Sequence, residues 1–248
     1  MKAVILAAGY ATRLYPLTLN TPKCLLPVGG KTILDWLCDK CDRLDGLEEI
    51  IIVTNAKFFG QLEAWGKTSH PRAPVRVLND GTSSNETRLG AIGDLDFAIK
   101  AGGLDGDILM LASDNLFSAE LAPFVNSCRA KRDKVCVGLY DIKDPMLAAK
   151  KFGVLEVSGR GEVMGIEEKP EAPKSSLIGM GVYFFCKNSL KFVREYLDDL
   201  SAKDAPGYYI RWLLNKTTIF GFLFPGSWVD IGDLKALEEA RKKYDKQT

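Results

Sequence analysis

Met1-Lys2-Ala3-Val4-Ile5-Leu6-Ala7-Ala8-Gly9-Tyr10-Ala11-Thr12-Arg13 opens the chain and decides how the rest is read. The run over residues 2–7, apolar after Lys2, suits a strand buried on both faces of a parallel sheet. It is too short for the apolar stretch of a signal peptide and passes straight into a Gly-containing loop that carries Arg13. It therefore reads as the first strand of a cytoplasmic protein. Small residues after such a strand let backbone N–H groups approach an anion closely. Ten residues beyond Arg13, the segment Pro22-Lys23-Cys24-Leu25-Leu26-Pro27 adds a second cation. Arg13 and Lys23 suit a phosphate, because negative charge spreads over the nonbridging oxygens during phosphoryl transfer. On local pattern alone, the loop reads equally well as exposed chain with ordinary basic residues.

Working outward, residues 32–44 show helical spacing through Ile33, Leu34, Leu37 and Cys41. Glu49–Thr54 is a second buried strand with a helix behind it, and residues 75–78 are short and β-like. A helix is predicted over 88–101 and a strand over 107–112, ending at Ser113-Asp114-Asn115. This alternation predicts an α/β fold with a Rossmann-like, doubly wound, mostly parallel sheet. Beyond about residue 133, segments 135–140, 153–157, 162–167 and 179–186 are β-like with little helix between the middle ones. They predict antiparallel strands added to the sheet as a second lobe. Helices over 189–200, 208–215 and 234–244 and a strand over 218–224 complete the chain. Without a repeat or a low-complexity linker, residues 1–248 read as one domain whose halves meet near residue 132.

Composition excludes several classes. Lys and Arg total 33 against 32 Asp and Glu, so the net charge of +1 offers no field for a nucleic-acid backbone or an acidic membrane surface. No run of about eighteen apolar residues occurs, which argues against a membrane span. Cys38 and Cys41 form a CxxC pair inside the amphipathic segment, without the second pair that a zinc site needs, and read as reduced structural residues. The single histidine, His70, precedes Pro71 in a polar loop, which leaves no basis for a Ser-His-Asp hydrolase or a multi-histidine metal site.

Leu6-Ala7-Ala8-Gly9-x-x-Thr12-Arg13-Leu14-x-Pro16-Leu17-Thr18, followed by Pro22-Lys23-x-Leu25-Leu26-Pro27-Val28, resembles the signature of sugar-1-phosphate nucleotidylyltransferases. Glucose-1-phosphate thymidylyltransferases and mannose-1-phosphate guanylyltransferases carry that signature. The resemblance implies transfer of a nucleotidyl group from a nucleoside triphosphate to a sugar 1-phosphate, with release of pyrophosphate. It implies that Arg13 and Lys23 bind the triphosphate. Ala11 stands where the family usually has glycine.

Asp114 follows a strand, and ligands of open α/β sheets bind at the carboxyl ends of strands. A lone aspartate there is more often a cap or turn former. The distant segment Trp228-Val229-Asp230-Ile231-Gly232 changes the reading. In the resembling family, the aspartates of a Gly-Asp-Asn turn and a Trp-x-Asp-x-Gly turn share a magnesium ion. The resemblance thus implies Mg2+ as cofactor, Asp114 and Asp230 as its ligands, and Asp114 with Arg13 and Lys23 as the catalytic set. Ser113 replaces the usual glycine.

Glu167-Glu168-Lys169 taken alone is a solvated charge run. In the family, a (Tyr/Phe)-Gly-Val strand and a Glu-Lys-Pro turn line the acceptor pocket, which carries over to Gly153, Glu168 and Lys169. Asn115 and Gly181 join them, making residues beyond about 133 the acceptor-binding half. Leu89-Gly90-Ala91-Ile92-Gly93 resembles the family's Leu-Gly-Thr-Ala-Gly stretch, so Gly90, Ala7, Ala8, Gly9 and Asn79 are implied around the nucleotide. Glu86 and Arg88 receive no role. A non-sugar acceptor such as phosphocholine, and a non-catalytic nucleotide-sugar sensor on the same fold, stay open as alternatives. The partners implied are small molecules, with neither nucleic acid nor membrane, and a homo-oligomer is compatible with the family.

Overall fold

In the computed structural model, which describes residues 1–69, 71–199 and 204–245, β1 (Lys2–Leu6) leads to a hairpin of β2 (Pro27–Val28) and β3 (Lys31–Thr32). Then come α1 (Ile33–Cys41), β4 (Glu49–Thr54), α2 (Phe59–Thr68), β5 (Val75–Asn79), α3 (Gly90–Gly102) and β6 (Ile108–Ala112). The short β7 (Asn115–Phe117) and α4 (Ala122–Ala130) precede β8 (Val135–Asp141), β9 (Gly153–Val157), β10 (Val163–Glu168) and β11 (Leu177–Phe185). The last elements are α5 (Lys191–Asp198), α6 (Pro206–Leu213), β12 (Ile219–Leu223), β13 (Trp228–Asp230) and α7 (Leu234–Tyr244). His70 and Leu200, both part of the sequence reading, lie outside the described residues.

One sheet runs through the described chain. β5, β4, β1 and β6 are parallel neighbours in that order. β11 then lies antiparallel to β6, with β8 antiparallel on its far side and β12 parallel to β8. The β9–β10 hairpin attaches to the beginning of β11 through Ile178 and Val154. The parallel half and the antiparallel addition are thus both present.

The apolar runs alternate between two helical layers. Ala3, Ile5, Ile50, Ile52, Leu109 and Leu111 pack toward α1, α2 and α4. Val4, Ile51, Val53, Ile108 and Met110 pack toward α3, α5 and α6. Both faces of each strand are covered, so no polar residue interrupts the runs. All six cysteines are buried and free on the first of these layers.

β1 is the point where the chain order reverses, with β4 on one side and β6 on the other. A crevice opens beyond the carboxyl ends of strands at such a switch. The Ala7–Arg13 stretch and the Ser113–Asn115 turn both begin there. A third, smaller core ties the first loop to the C-terminal helix, through Leu14, Leu26 and Val28 against Ile231, Leu237, Ala240 and Tyr244. Gly29 has φ +58° and lies so close that an added Cβ would come within 2.8 Å of the Tyr244 Cβ.

Differences from the sequence reading are local. The helix expected over 32–44 begins one residue later, because Thr32 caps it in a capping box with Asp35. The helix expected from 88 starts at Gly90, whose φ of +79° breaks any earlier turn. The helix expected over 189–200 splits into a 3-10 turn at Lys187–Ser189 and α5. The two-residue hairpin strands, the β7–β13 ribbon and α4 went unread. The strands are too short to show a hydrophobic period, and in α4 Pro123 and the polar Asn126-Ser127 interrupt the apolar spacing. Among the described residues, no helix is long and apolar enough to cross a membrane.

Candidate active site

The first loop is braced from the β4 side. The Ala7 N–H donates to the Val53 carbonyl at 2.8 Å, and buried Asn55 donates to the Ala8 carbonyl at 2.8 Å. Ala11 sits in the left-handed region at φ 48°, where its carbonyl accepts from the Thr18 hydroxyl at 2.8 Å. Arg13 follows in a 3-10 turn whose Leu14 is anchored in the core shared with α7.

Lys23 joins three distant segments. Its Nζ lies 2.7 Å from Asp114 Oδ2 and donates to the Ile231 carbonyl at 3.0 Å. The Ile231 N–H in turn donates to the Asp114 carbonyl at 2.9 Å, and Asp230 pairs with Asn115 across the β7–β13 ribbon. A Cβ added at Gly232 would lie 3.3 Å from Asp230 Oδ2 and 3.7 Å from both terminal nitrogens of Arg13. Arg13, Lys23, Asp114 and Asp230 are therefore one cluster. Burial first, then the Asp114 charge, push the Asp230 carboxyl up to about 7, against the pull of Lys23 and Arg13.

Among the described residues no group of three or more His, Cys, Asp or Glu is placed to hold a metal ion. Two close carboxylates with mutual repulsion still match a hard cation such as magnesium, which takes few protein carboxylates and completes its shell with phosphate oxygens and water.

Beside the cluster lies a cleft of about 580 Å³. Ala7, Ala8, Gly9, Arg13, Lys23, Gly90, Asp114 and Gly181 line it. Gly181 is required as glycine: at φ +73°, a Cβ would come within 2.8 Å of both the Ala112 Cβ and Asn115 Nδ2. Asn79 is not on the wall; its carboxamide oxygen accepts from the Gly81 N–H at 2.9 Å, closing its own turn. Asn115 is buried behind Gly181 and accepts from the Trp228 indole at 2.7 Å.

Gly153, Glu168 and Lys169 form a second locus that does not line this cleft. Glu168 pairs with Gly153 across the β9–β10 hairpin, and its carboxylate lies against Gly153 and against Gly207 of α6, leaving no room for a Cβ at either. Burial pushes the Glu168 carboxyl up, and Lys169 opposes it. The Tyr183 phenol, which lines the cleft, is pushed up by burial and then by the Glu168 charge, so the two loci adjoin. Lys169 is exposed at φ 51°, its N–H donating to the Phe152 carbonyl at 3.1 Å. Phe152 packs edge-on against Trp228 at 5.2 Å, linking the β9–β10 hairpin to the Asp230 strand.

Four wall residues escaped the sequence reading or received no role there: Tyr10, Asp94, Arg88 and Asp204. Arg88 pairs with Asp204 at 2.6 Å. Gly90 faces the same Asp204, whose Oδ1 would lie 2.5 Å from an added Cβ. Arg88 and Asp204 are 116 residues apart, and no local pattern pairs them.

The chain is similar to known proteins over nearly its whole length. A bifunctional protein GlmU from Methanococcus aeolicus is 30% identical over 242 residues, covering 94% of this chain and 51% of its own length. A glucose-1-phosphate thymidylyltransferase from Neisseria gonorrhoeae is 27% identical over 256 residues, covering 97% of this chain and 81% of that one. A solved structure from Bacillus anthracis, described as a putative glucose-1-phosphate thymidylyltransferase, superposes with a TM-score of 0.80 at 25% identity, over 99% of this chain and 95% of that one. The chain spans about half the length of the GlmU proteins it matches, 51% and 54%. The nucleotidyl transferase family matches residues 2–247, so the chain belongs to that family.

Proposed function

We propose that this chain transfers a nucleotidyl group from a nucleoside triphosphate to a sugar 1-phosphate and releases pyrophosphate. The observation that carries the reading is Lys23 Nζ, held at 2.7 Å from Asp114 and 3.0 Å from the Ile231 carbonyl in a cluster with Asp230 and Arg13. Phosphoryl transfer needs positioning and charge stabilisation more than covalent help from the protein. The acceptor's phosphate oxygen attacks the α-phosphorus in line; the new P–O bond forms as the bond to the β-phosphate oxygen breaks, and the electron pair leaves with pyrophosphate. That nucleophile is already anionic at neutral pH, so no general base is required. Arg13 and Lys23 are suited to the charge of the departing pyrophosphate.

Asp114 and Asp230 would hold magnesium, whose charge would offset that of the phosphates. Lys169 and Glu168 would contact the sugar 1-phosphate, Lys169 through its phosphate and Glu168 through hydroxyls. The names of the Neisseria and Bacillus relatives support a sugar 1-phosphate as acceptor. The test is a pyrophosphate-release assay with the common nucleoside triphosphates against a panel of sugar 1-phosphates, with and without magnesium. Magnesium-dependent release from at least one pair is expected. Release from none, by folded protein, overturns the reading.

A further inference from the structure

Asp94 and Asp80 form a carboxyl pair that the phosphoryl chemistry does not use. Asp94, in the second turn of α3, is only 6% exposed and lines the cleft. Its Oδ1 is buried without a hydrogen-bond donor, as is Oδ2 of Asp80. The two carboxyls are nevertheless neighbours, and the Asp80 charge acts directly on Asp94. Among the described residues, no cation pairs with either. Two unpaired carboxylate oxygens in contact, away from any cation, are costly unless they share a proton. Asp80 Oδ1 already accepts from both the N–H and the hydroxyl of Thr82 at 2.7 Å. The shared proton therefore belongs to Asp94.

The surroundings agree. Asp204 faces the pair from the segment ahead of α6, and its charge adds to that of Asp80. Arg88 is committed to Asp204 at 2.6 Å and to Asn85 at 2.8 Å. Tyr10, from the first loop, feels the charges of Asp80 and Glu86 and lies beside Thr82. Burial, with Asp80 next, pushes the Asp94 carboxyl up to about 8.

This part of the wall is built for a flat, uncharged group. Ala8 and Gly9 line the cleft together with Gly90 and Ala91, residues with no side chain beyond a methyl. The nearby cation, Arg88, is already paired with Asp204. We propose that Asp94 reads the nucleobase as an uncharged acid, its O–H donating to Asp80 and its second oxygen accepting an N–H of the base. Asp80 is then a positioning residue, and Asp94 determines base preference. The inference rests on the reading that the cleft takes a nucleoside triphosphate.

The experiment measures apparent KM for ATP, GTP, CTP and UTP, and for the 2′-deoxy form of the preferred one, from pH 6.5 to 9.5. Wild type, Asp94→Ala and Asp94→Asn are compared by pyrophosphate release, with thermal unfolding as the check on folding. Asp94→Ala should raise KM for the preferred triphosphate about tenfold, the worth of one hydrogen bond, and flatten base preference without moving KM for the sugar phosphate. Asp94→Asn keeps a donor toward Asp80 and an acceptor toward the base, so it should recover most of that preference. Its KM should stay flat above pH 8, where that of wild type rises as Asp94 ionises. Should Asp94→Ala not fold, the contrast in pH profile decides alone. Unchanged base preference in Asp94→Ala, an effect confined to the 2′-position, or the wild-type pH rise in Asp94→Asn overturns the inference. Absence of release from every triphosphate in wild type is a separate failure: it removes the reading of the cleft and this inference with it.

Discussion

Lys23, Asp114 and Ile231, next to Asp230, are tied to one another by bonds that cross most of the chain, whereas Gly153, Glu168 and Lys169 are fixed largely by neighbours on one hairpin. The first group has bonds from three segments and an apolar core, shared by the first loop and α7, behind it. The second is joined to it by apolar packing, Phe152 and Val154 with Trp228, and by the adjacency of Glu168 and Tyr183. Permanent charges that must be close together need cross-bracing, since any slack lets repulsion or water separate them. A hairpin that offers one carboxylate and one exposed ammonium needs less. The difference predicts large losses of rate from changes in the cluster and selective losses of affinity from changes in the hairpin.

The largest expected effect is that of Asp114→Asn, which removes the partner of Lys23 and one proposed metal ligand. Its kcat should fall on the order of a thousandfold, with little change in unfolding temperature. A loss below about tenfold would place the chemistry elsewhere.

Lys169→Ala should raise KM for the sugar phosphate about tenfold while leaving that for the triphosphate nearly unchanged. Equal changes in both would erase the contrast between the two regions.

Glu168→Gln tests the burial of the hairpin carboxylate. Burial raises the Glu168 carboxyl in the folded chain. Its contribution to stability is therefore fully present below the ordinary carboxylate range and is lost as pH rises through the raised value. Glu168→Gln should gain unfolding temperature on its parent toward neutral pH, with the gap closing in acid, and should bind the sugar phosphate less well. Melting curves that stay parallel from pH 4 to pH 8 would contradict the role of burial.

The smallest effect expected is that of Ala11→Gly. Ala11 holds φ 48° in the loop after β1, where glycine carries no Cβ penalty. The substitution should stabilise by about 0.5–1 kcal/mol, roughly 2 °C in Tm. A lower Tm would mean that the methyl's packing against the Leu14 core outweighs the strain.

Most of the framework was legible in the chain. Residues 3–7, 50–53 and 108–112 are apolar throughout because two helical layers cover them. Arg13, Lys23, Asp114 and Asp230 were found by resemblance, since their roles need fixed residue types in short motifs. The Asp80–Asp94 pair carried no such signal: an aspartate in the second turn of a helix normally faces solvent, and its burial depends on which loop packs over it. The Arg88–Asp204 pair was equally silent.

The sequence by itself determined the element types, the family and the identity of the charged residues, because hydrophobic period and local motif act over a few residues. Only the tertiary structure decided that Lys23 meets Asp114, 91 positions away, and the Ile231 carbonyl, 208 away. It alone buried Asp94 against Asp80 and set the Glu168 hairpin beside Tyr183. Such contacts depend on strand order and on how the last helix docks, which come from packing summed over the whole sheet and are written in no single segment.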